Sequence, residues 1–298
     1  MDRLKKAMII ANPSSGKEEA LDHIDRIEDV LSEKGYQVTV SQTEKELDAT
    51  HFCMDACKDE FDMVVSLGGD GTLHETINGM VDQHHRPRLG IVPLGTVNDF
   101  ARALNIPLDP EKAIDVLHSD QTTRVDIGKF NDRYFVNIVA IGAIAEATYE
   151  VSPEQKTRLG PLAYVLEGIK TLASDNSYPL DVEYDGKKWS GESLLFLAAL
   201  TKSTGGFEKL SPEAKVDDGV LHCYIIKKVN LIKLGPIVTS ILRGELKEND
   251  AVEYFTAKKV RVSSEEALVT NVDGEEGDRL PVDLEVKQSH LEVIIPTS

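Results

Sequence analysis

Three glycines surround one carboxylate in Gly68–Thr72 (GGDGT), which follows a short apolar run and precedes a segment of helical periodicity. Glycine lets the backbone turn sharply and approach a ligand closely. The N–H groups of such a turn, with the amino terminus of the next helix, form a cradle for an anion such as a nucleotide phosphate. Because Asp70 would repel a phosphate, we expect Mg²⁺ between the two. The alternative is a tight strand–helix turn in which Asp70 caps the helix.

A second polar cluster lies in Pro93–Phe100 (PLGTVNDF), again between an apolar run and the predicted start of a helix. It contains Thr96, Asn98 and Asp99. We predict that these side chains reach the same edge of a sheet as Gly68–Thr72, since each cluster follows a strand. The alternative is that Asn98 or Asp99 only caps the following helix.

Three further segments carry less specific patterns. Asn12–Lys17 (NPSSGK) follows the first apolar run and lacks the spacing of a Walker A loop, but its small side chains suit the lining of an adenine and phosphate site. Asp217–Gly219 (DDG) precedes a predicted strand, and Asp273–Gly277 (DGEEG) follows one. An Asp-Gly pair beside an alternating run is typical of a hairpin turn, which is the alternative to a role of these carboxylates in a site.

Apolar runs alternate with helical periodicity over the first part of the chain. The pattern predicts strands at Ala7–Ala11, Gln37–Ser41, Met63–Leu67 and Leu89–Val92, and helices at Lys17–Lys34, Leu47–Lys58, Thr72–Val81 and from Asn98. This alternation is typical of βαβ units, which build a parallel sheet with ligands at the carboxyl ends of its strands. We therefore predict an α/β domain at 1–122.

The second part of the chain has a different rhythm. Strands are predicted at Thr123–Phe130, Tyr134–Ile141, Leu180–Tyr184, Ser193–Leu200, Val220–Lys227, Ala257–Val262, Ala267–Val272 and Leu291–Ile295. Only Pro161–Leu172 and Leu231–Arg243 show helical periodicity. The pattern predicts a β-rich domain at 123–298, built as an antiparallel, sandwich-like sheet.

Charge and composition exclude several classes of protein. The 298 residues contain 51 acidic and 33 basic side chains, which gives a formal net charge of −18. This balance argues against a nucleic-acid binder, which needs a basic face, and against constitutive adhesion to an anionic bilayer. The three cysteines have no framework spacing, and no apolar run is long enough to span a membrane. We expect a soluble cytoplasmic protein.

The chain resembles the diacylglycerol kinase catalytic family, and most closely its soluble bacterial members. The resemblance rests on five segments in order: GGDGTLHETINGM, GIVPLGTVNDFARALNIP, VDIGKFNDRYFVNI, LTKSTGGFEKLSPEAKVDDG and NVDGEEGDRLP. GGDGT alone is shared with NAD kinases and phosphofructokinases, whereas GT-x-NDF followed by DDG and DGE is more specific to lipid kinases. His74 departs from the Asn that the family usually has there. The implied fold is a Rossmann-like or phosphofructokinase-like parallel-sheet domain and an antiparallel β-sandwich-like domain, with the ATP site in the cleft between them.

The resemblance also implies roles for individual residues. The ATP site would be lined by Asn12, Pro13, Ser14, Ser15, Gly16, Thr43, Gly68, Gly69, Asp70, Gly71, Thr72, Leu73, His74, Glu75 and Thr96. Asp70 would hold the catalytic Mg²⁺ on the phosphates, directly or through water. Glu275 resembles the general base that accepts the proton of the lipid hydroxyl. Phosphoryl transfer depends on positioning and charge neutralisation, so a glycine cradle, Mg²⁺ and one base suffice.

Further carboxylates are expected to position metal, water and base in the family's reaction. They are Asp99, Asp126 and Asp217. Asp218, with the backbone carbonyl oxygens of Lys215 and Val220, resembles a structural Mg²⁺ site.

The resemblance implies an ATP- and Mg²⁺-dependent kinase that phosphorylates diacylglycerol to phosphatidic acid, transiently at the inner face of the membrane, and that forms a homodimer. One alternative is an enzyme like NAD kinase, against which the segment GTVNDF argues. Another lipid alcohol, such as ceramide, a sphingoid base or undecaprenol, is a second alternative. A third is a nucleotide sensor without catalysis, although the carboxylates of GGDGT and DGE are present.

Overall fold

The structure is a computed structural model, and it describes residues 3–16, 19–142, 177–206 and 208–297. The backbone divides into two compact units. The first comprises Met1–Val125 with Ser289–Ser298, and the second comprises Asp126–Gln288. The helix predicted at Pro161–Leu172 lies outside the described residues.

A parallel sheet forms the centre of the first unit. Its strands are β1 (Lys5–Ala11), β2 (Tyr36–Gln42), β3 (Met63–Gly68) and β4 (Arg88–Pro93), in the order β2–β1–β3–β4. Every residue of β3 is buried, and so are the last five residues of β1 and of β4. Continuous burial of this kind is typical of parallel strands covered by helices on both faces.

Five helices accompany this sheet. They are α1 (Ile24–Glu33), entered through a 3₁₀ turn at Ala20–His23, α2 (Asp48–Lys58), α3 (Asp70–Val81), α4 (Asp99–Ala103) and α5 (Pro110–Val116). α1 packs against α5, and α2 packs against α3, so two helix pairs cover the sheet. The predicted helix at Lys17–Lys34 begins later than expected within the described residues, at the 3₁₀ turn.

The second unit consists mainly of antiparallel strands. They are β5 (Thr122–Phe130), β6 (Arg133–Phe135), β7 (Ile138–Gly142), β8 (Tyr178–Tyr184), β9 (Lys187–Ala199), β10 (Leu221–Lys227), β11 (Val252–Ala257), β12 (Lys259–Ser263), β13 (Val269–Val272), β14 (Glu275–Arg279) and β15 (Val282–Ile294). β9 pairs with β8 through its first half and with β7 and β10 through its second. The helix α6 (Leu231–Arg243) has the predicted bounds. The two units thus have the predicted α/β and β-sandwich-like architectures.

Successive side chains in the second half of β9 belong alternately to two apolar clusters. Phe196 and Ala198 of β9 pack into a cluster with Phe130 and Phe135. Their neighbours Leu195 and Leu197 join a second cluster, which includes Leu234, Ile237 and Ile241 of α6. Because successive side chains of a strand point to opposite faces, the second half of β9 is buried on both sides, and α6 covers one of them.

The chain end belongs with the first unit. β15 runs from the second unit into the first, where Val293 pairs in parallel register with Leu89 of β4. The N–H of Ile295 donates to the carbonyl oxygen of Gln121 at 3.0 Å. The predicted division at 122/123 placed 289–298 in the second domain. The structure groups that segment with the first unit, because the end of β15 pairs with β4 of the parallel sheet.

Two predicted strands are each divided in the structure. The strand predicted at Tyr134–Ile141 becomes β6 and β7, because the Asp273 carboxylate accepts hydrogen bonds from the N–H groups of Val136, Asn137 and Ile138. The strand predicted at Ala257–Val262 becomes the end of β11 and the start of β12. There the Asp185 carboxylate accepts from the N–H groups of Lys258 and Lys259. In both places, a carboxylate distant in sequence takes over N–H groups that a continuous ladder would use.

Candidate active site

Asp70 is the first residue of α3, and its carboxylate contacts the neighbouring loop rather than its own helix. Its Oδ2 accepts a hydrogen bond from the N–H of Asn98 at 2.8 Å, and its Oδ1 accepts one from the N–H of Asp99 at 3.0 Å. The N-cap of α3 is Gly69, which has no side chain to cap with. The alternative that Asp70 caps its own helix is therefore wrong, and the carboxylate instead joins the two glycine-rich segments.

Asn98 shapes the loop that receives Asp70. Its side-chain Oδ1 accepts from the N–H of Gly95 at 3.0 Å, and its Nδ2 donates to the carbonyl oxygen of Gly95 at 2.7 Å. Its backbone has a φ of 53°, in the left-handed region that Asn tolerates better than most residues. Asn98 thus closes the loop and turns the N–H groups of Asn98 and Asp99 towards Asp70. Thr96 lies exposed in the same loop.

The glycines at 69 and 95 permit the close approach of these two segments. A Cβ atom at Gly69 would lie 3.2 Å from the Cα of Gly95. A Cβ atom at Gly95 would lie 2.9 Å from the Cα of Gly69 and 2.7 Å from Oδ1 of Asn98. Any larger residue at Gly95 would therefore push the backbones apart and move the N–H groups away from Asp70.

The first strand contributes to the same edge of the sheet. Asn12 follows β1, and its Nδ2 donates to Oγ1 of Thr72 at 3.1 Å. Its Oδ1 accepts from the N–H of Ser14 at 3.0 Å, which holds the turn that contains Pro13, Ser15 and Gly16. Thr43 follows β2, where its N–H donates to the carbonyl oxygen of Ala11 at 2.9 Å. The four parallel strands thus all end in residues predicted for the site, as the rule for parallel sheets leads us to expect.

Three predicted residues of α3 have other contacts. Glu75 accepts a hydrogen bond from the N–H of Ala49 at 3.2 Å, at the amino terminus of α2. His74 contacts Asn78 one helical turn further along, and Leu73 is buried. Glu75 therefore links α3 to α2, and its predicted place in the ATP site remains a prediction.

A small cavity lies behind Asp70. It has a volume of about 10 Å³ and is lined in part by Ser66, Gly68, Asp70 and Asn98. The hydroxyl oxygen of Ser66 is buried and has no hydrogen-bond partner within the described residues. The space is of the order that one water molecule needs, so a bound water would satisfy Ser66 here.

Asp126 is the predicted site residue that the second unit buries most deeply. It lies on β5 with 2% of its surface exposed. Its Oδ2 accepts a hydrogen bond from the N–H of Gly219 at 2.5 Å, and its own N–H donates to the carbonyl oxygen of Val216 at 2.6 Å. Asp126 is thus docked onto the segment Lys215–Val220, which we call the Asp218 turn.

Asp218 organises this turn from within. Its Oδ2 accepts from the N–H of Lys215 at 3.0 Å, and its Oδ1 accepts from the N–H of Val220 at 3.2 Å. Oδ2 also lies 2.9 Å from Nε2 of His222. Burial acts to raise the pKa of the Asp218 carboxyl, but these hydrogen bonds outweigh burial, and its pKa is lowered. The hairpin alternative is wrong for Asp217–Gly219, because a long loop rather than a neighbouring strand precedes the turn.

The structural Mg²⁺ site predicted at the Asp218 turn remains a prediction. That prediction uses the carbonyl oxygens of Lys215 and Val220, and the N–H groups of the same two residues donate to the Asp218 carboxylate. Oδ2 accepts two hydrogen bonds, which leaves one lone pair on Oδ1 for a cation. Within the described chain, no group of three or more His, Cys, Asp and Glu side chains could hold a metal ion.

Glu275 stands at the start of β14, directly after a two-residue hairpin. Asp273 and Gly274 form the turn, with φ values of 49° and 95°, and Val272 pairs with Glu275 across it. The hairpin alternative is therefore confirmed for the geometry of this segment. The Asp273 carboxylate ties the turn to the start of β7, and Glu275 itself is exposed. Asp217, within the Asp218 turn, is exposed as well.

Two residues of the second unit escaped the sequence analysis. His222 is buried and bridges Asp218 to the hydroxyl of Tyr254, which lies 2.8 Å from its Nδ1. A histidine four residues after Asp218 was visible in the sequence, but its contact with Tyr254 depends on the pairing of β10 with β11, a strand that we did not predict.

A larger cavity lies away from these residues. It has a volume of about 590 Å³ and is lined by strands β5, β8, β9, β12 and β15 of the second unit. Its charged side chains pair with one another, as in Lys259–Glu285 at 3.3 Å and Arg261–Asp283 at 2.6 Å. None of the predicted site residues lines it, so its size alone does not mark it as the site.

Among the described residues, no helix is both long and apolar enough to cross a membrane.

Comparisons with known proteins cover almost the whole chain. Residues 6–130 match the family model described as the diacylglycerol kinase catalytic domain, and residues 137–295 match that of the YegS C-terminal NAD kinase beta sandwich-like domain. A protein of Staphylococcus haemolyticus named diacylglycerol kinase is 44% identical over 98% of this chain and 88% of its own length. One of Staphylococcus carnosus with the same name is 43% identical over 98% of this chain and 95% of its own length.

The fold has close counterparts among solved structures. A crystal structure of a diacylglycerol kinase from Bacillus anthracis superposes with a TM-score of 0.84, at 26% identity, covering 99% of both chains. The likeness therefore extends through both units.

Proposed function

The chain belongs to the diacylglycerol kinase family, and on that premise we propose that it transfers the γ-phosphate of ATP to the free hydroxyl of diacylglycerol. The hydroxyl oxygen forms a bond to the γ-phosphorus, and the bond from that phosphorus to the β-phosphate oxygen breaks. The hydroxyl proton passes to a base, and the products are ADP and phosphatidic acid.

The observation that carries the proposal is the contact of Asp70 with Asn98 and Asp99. It brings the glycine-rich turn after β3 and the polar loop after β4 to the same edge of the parallel sheet. Such an edge is where α/β sheets bind nucleotides. A carboxylate beside a glycine-rich helix start can hold a cation against phosphate oxygens there.

The donor set at this edge suits Mg²⁺. We propose the carboxylates of Asp70 and Asp99 as its ligands, since Mg²⁺ prefers hard oxygen ligands. The hydrogen bonds from the N–H groups of Asn98 and Asp99 orient the Asp70 carboxylate. When bound, the ion neutralises charge that develops on the transferring phosphate. The metal predicted at the Asp218 turn has a structural role and takes no part in the transfer that we propose.

We assign nucleotide binding to the loops at the strand ends. The N–H groups of Gly69–Thr72 at the start of α3 are placed to bind phosphate oxygens, while Asn12 and Thr72 hold the first loop against that helix. The small side chains of Pro13–Gly16, with Thr43 and Thr96, leave room for the nucleoside. These loops all lie at one edge of the parallel sheet, so their residues can contact the same nucleotide.

Glu275 is our choice for the base in the second unit. It is exposed at the first position of β14, on a turn that Asp273 fixes with three hydrogen bonds. An exposed carboxylate on a rigid turn can reach a substrate hydroxyl without unfolding its support. Asp126 and Asp217 are the further carboxylates that we propose to position the reacting groups.

The acceptor determines where the enzyme works. Because diacylglycerol resides in membranes, we propose a transient contact with the inner membrane face by an otherwise cytoplasmic protein. We also propose a homodimer, as the family resemblance implies.

A panel of acceptors tests the proposed function. Purified protein, ATP and Mg²⁺ are incubated with mixed micelles that contain diacylglycerol, ceramide, a sphingoid base or undecaprenol, and with NAD in a separate reaction. We expect phosphatidic acid to form fastest. Faster phosphorylation of NAD or of another lipid alcohol would replace diacylglycerol as the substrate, and no product in any reaction would refute the kinase assignment.

A further inference from the structure

Asp126 owes its orientation to the Asp218 turn. Its buried carboxylate accepts a short hydrogen bond from Gly219, and its N–H donates to Val216. Hydrogen bonds to a charged group are stronger and more directional than those between neutral groups. The direction of the Gly219 N–H therefore contributes to where the carboxylate of Asp126 points.

The side chain of Asp218 fixes the direction of that N–H. By accepting from the N–H groups of Lys215 and Val220, it ties the two ends of the turn together. Gly219 lies between them with a φ of 76°, a conformation that glycine adopts without strain. Rotation of the Asp218 carboxylate would release both ends and let Gly219 turn away.

His222 and Tyr254 in turn hold the Asp218 carboxylate. His222 is 5% exposed and uses both ring nitrogens, Nε2 towards Asp218 at 2.9 Å and Nδ1 towards the hydroxyl of Tyr254 at 2.8 Å. Burial raises the pKa of Tyr254 to about 12, so the hydroxyl keeps its proton at neutral pH. Nε2 of His222 can donate to the Asp218 carboxylate, which only accepts, while the Tyr254 hydroxyl can either donate to Nδ1 or accept from it.

We propose that His222 and Tyr254 are positioning residues, which hold the Asp218 turn in the shape that directs the Gly219 N–H onto Asp126. The inference assigns to side chains the bracing role that the sequence analysis gave to a metal. Its consequence for turnover rests on the proposed function, in which Asp126 positions the reacting groups. Its structural part stands on the contacts alone.

The same strand pair offers a matched control. Tyr224 lies directly opposite Tyr254 in the register of β10 and β11. Its hydroxyl forms a hydrogen bond with the Ser211 hydroxyl at 3.0 Å, separate from the bonds of His222 and Tyr254. Tyr224→Phe removes a buried hydroxyl that is not bonded to His222. It therefore measures the general effect of losing a tyrosine hydroxyl from this strand pair.

The first test observes the Gly219 amide directly by NMR. Its proton resonance should lie far downfield in the wild type, because the hydrogen bond to Asp126 is short. We expect Tyr254→Phe to move it upfield, His222→Leu to move it further, and Tyr224→Phe to leave it in place. His222→Gln should restore most of the shift, because its amide can still donate to Asp218. An unmoved Gly219 resonance in both Tyr254→Phe and His222→Leu would overturn the inference.

The second test measures turnover of the same folded variants. We expect Tyr254→Phe to lower kcat by about three- to tenfold, the effect of one hydrogen bond, with an unchanged KM for ATP. Tyr224→Phe should retain the wild-type kcat, and an equal loss there would overturn the inference, as would a shifted Gly219 resonance without any loss of kcat. If the wild type does not phosphorylate diacylglycerol, the proposed function fails, while the Gly219 resonance still decides whether the two side chains hold the turn.

Discussion

The two units orient their carboxylates in different ways. In the first unit, Asp70 is held by the backbone N–H groups of Asn98 and Asp99, which belong to one loop at the next strand end. In the second, Asp126 is held by the N–H of Gly219, whose direction depends on Asp218, His222 and Tyr254 in succession. Both carboxylates accept from backbone N–H groups. The first pair of N–H groups belongs to one loop that the Asn98 side chain closes, whereas the Gly219 N–H depends on a series of three side chains.

The difference suggests where each unit tolerates change. A backbone-held carboxylate depends on the path of the chain, so its weak points are the glycines that permit the approach of two loops. A carboxylate held through side chains depends on each partner in turn. We therefore expect the first unit to fail in an all-or-none manner and the second unit to fail by degrees.

The largest effect is expected at Glu275. Its carboxylate is exposed, unlike those of Asp70 and Asp126, and no side chain within the described part of the chain holds it. If it is the base, Glu275→Gln should lower kcat by a factor of about 10²–10⁴ and leave ATP binding nearly intact. Steady-state kinetics and calorimetric titration with ATP check both halves. Near-normal turnover would remove Glu275 from the mechanism.

Asp70→Asn should give the next largest effect, because it removes the charge that the first unit's loop orients. We expect the use of Mg·ATP to fall by about a hundredfold or more, since charge neutralisation is the main catalytic device in phosphoryl transfer. ATP without Mg²⁺ should bind as well as to the wild type, or better, because a repulsive charge is gone. Equal losses with and without Mg²⁺, measured by titration, would show that Asp70 only joins the two loops.

Asp218→Asn should have a moderate effect, and it separates the two views of the Asp218 turn. The amide keeps one oxygen, so it cannot accept from Lys215, Val220 and His222 as the carboxylate does, and we expect kcat to fall by about three- to tenfold. If side chains alone brace the turn, the Mg²⁺ concentration for half-maximal rate stays unchanged. An increase in that concentration would support the metal predicted from sequence. Lys215→Ala and Val220→Ala are controls that leave the backbone N–H groups in place, and both should remain active.

The smallest effect is expected at Asp48, a carboxylate of the first unit that accepts two backbone hydrogen bonds. Hydrogen bonds from the N–H groups of Glu44 and Lys45 lower the pKa of its carboxyl from 3.8. A lowered pKa in the folded state means that the stabilisation is present above pH 3.8 and is lost as the pH falls below it. Urea unfolding should show Asp48→Asn to be less stable than the wild type near neutral pH. A difference that persisted unchanged in strong acid would contradict this.

The sequence predicted the first unit better than the second, for a physical reason. Gly68–Thr72 and Pro93–Phe100 each follow a buried strand directly, and parallel strands must end at one edge, so local patterns were enough to bring Asp70 near Asp99. The series Asp218–His222–Tyr254 depends on the register of β10 against β11, which no local pattern encodes. The late return of β15 to the first unit is another long-range pairing that could not be predicted.

Some local signals were present and were not used. Asp109 caps α5 through a hydrogen bond to the N–H of Lys112 at 3.0 Å, with Pro110 at the first helical position. That combination is typical of a helix start, so α5 could have been predicted. β14 has no such signal, because its charged and polar residues do not alternate with apolar ones.

The transfer of a labelled phosphate tests the central claim most directly. ATP radiolabelled at the γ-phosphate or, separately, at the α-phosphate is incubated with Mg²⁺, diacylglycerol micelles and either the wild type or Glu275→Gln. We predict that the γ-label alone enters the lipid fraction, that it migrates as phosphatidic acid, and that Glu275→Gln transfers it about 10²–10⁴ times more slowly than the wild type. Label from the α-phosphate in the lipid, no label at all, or equal labelling by Glu275→Gln would contradict the account.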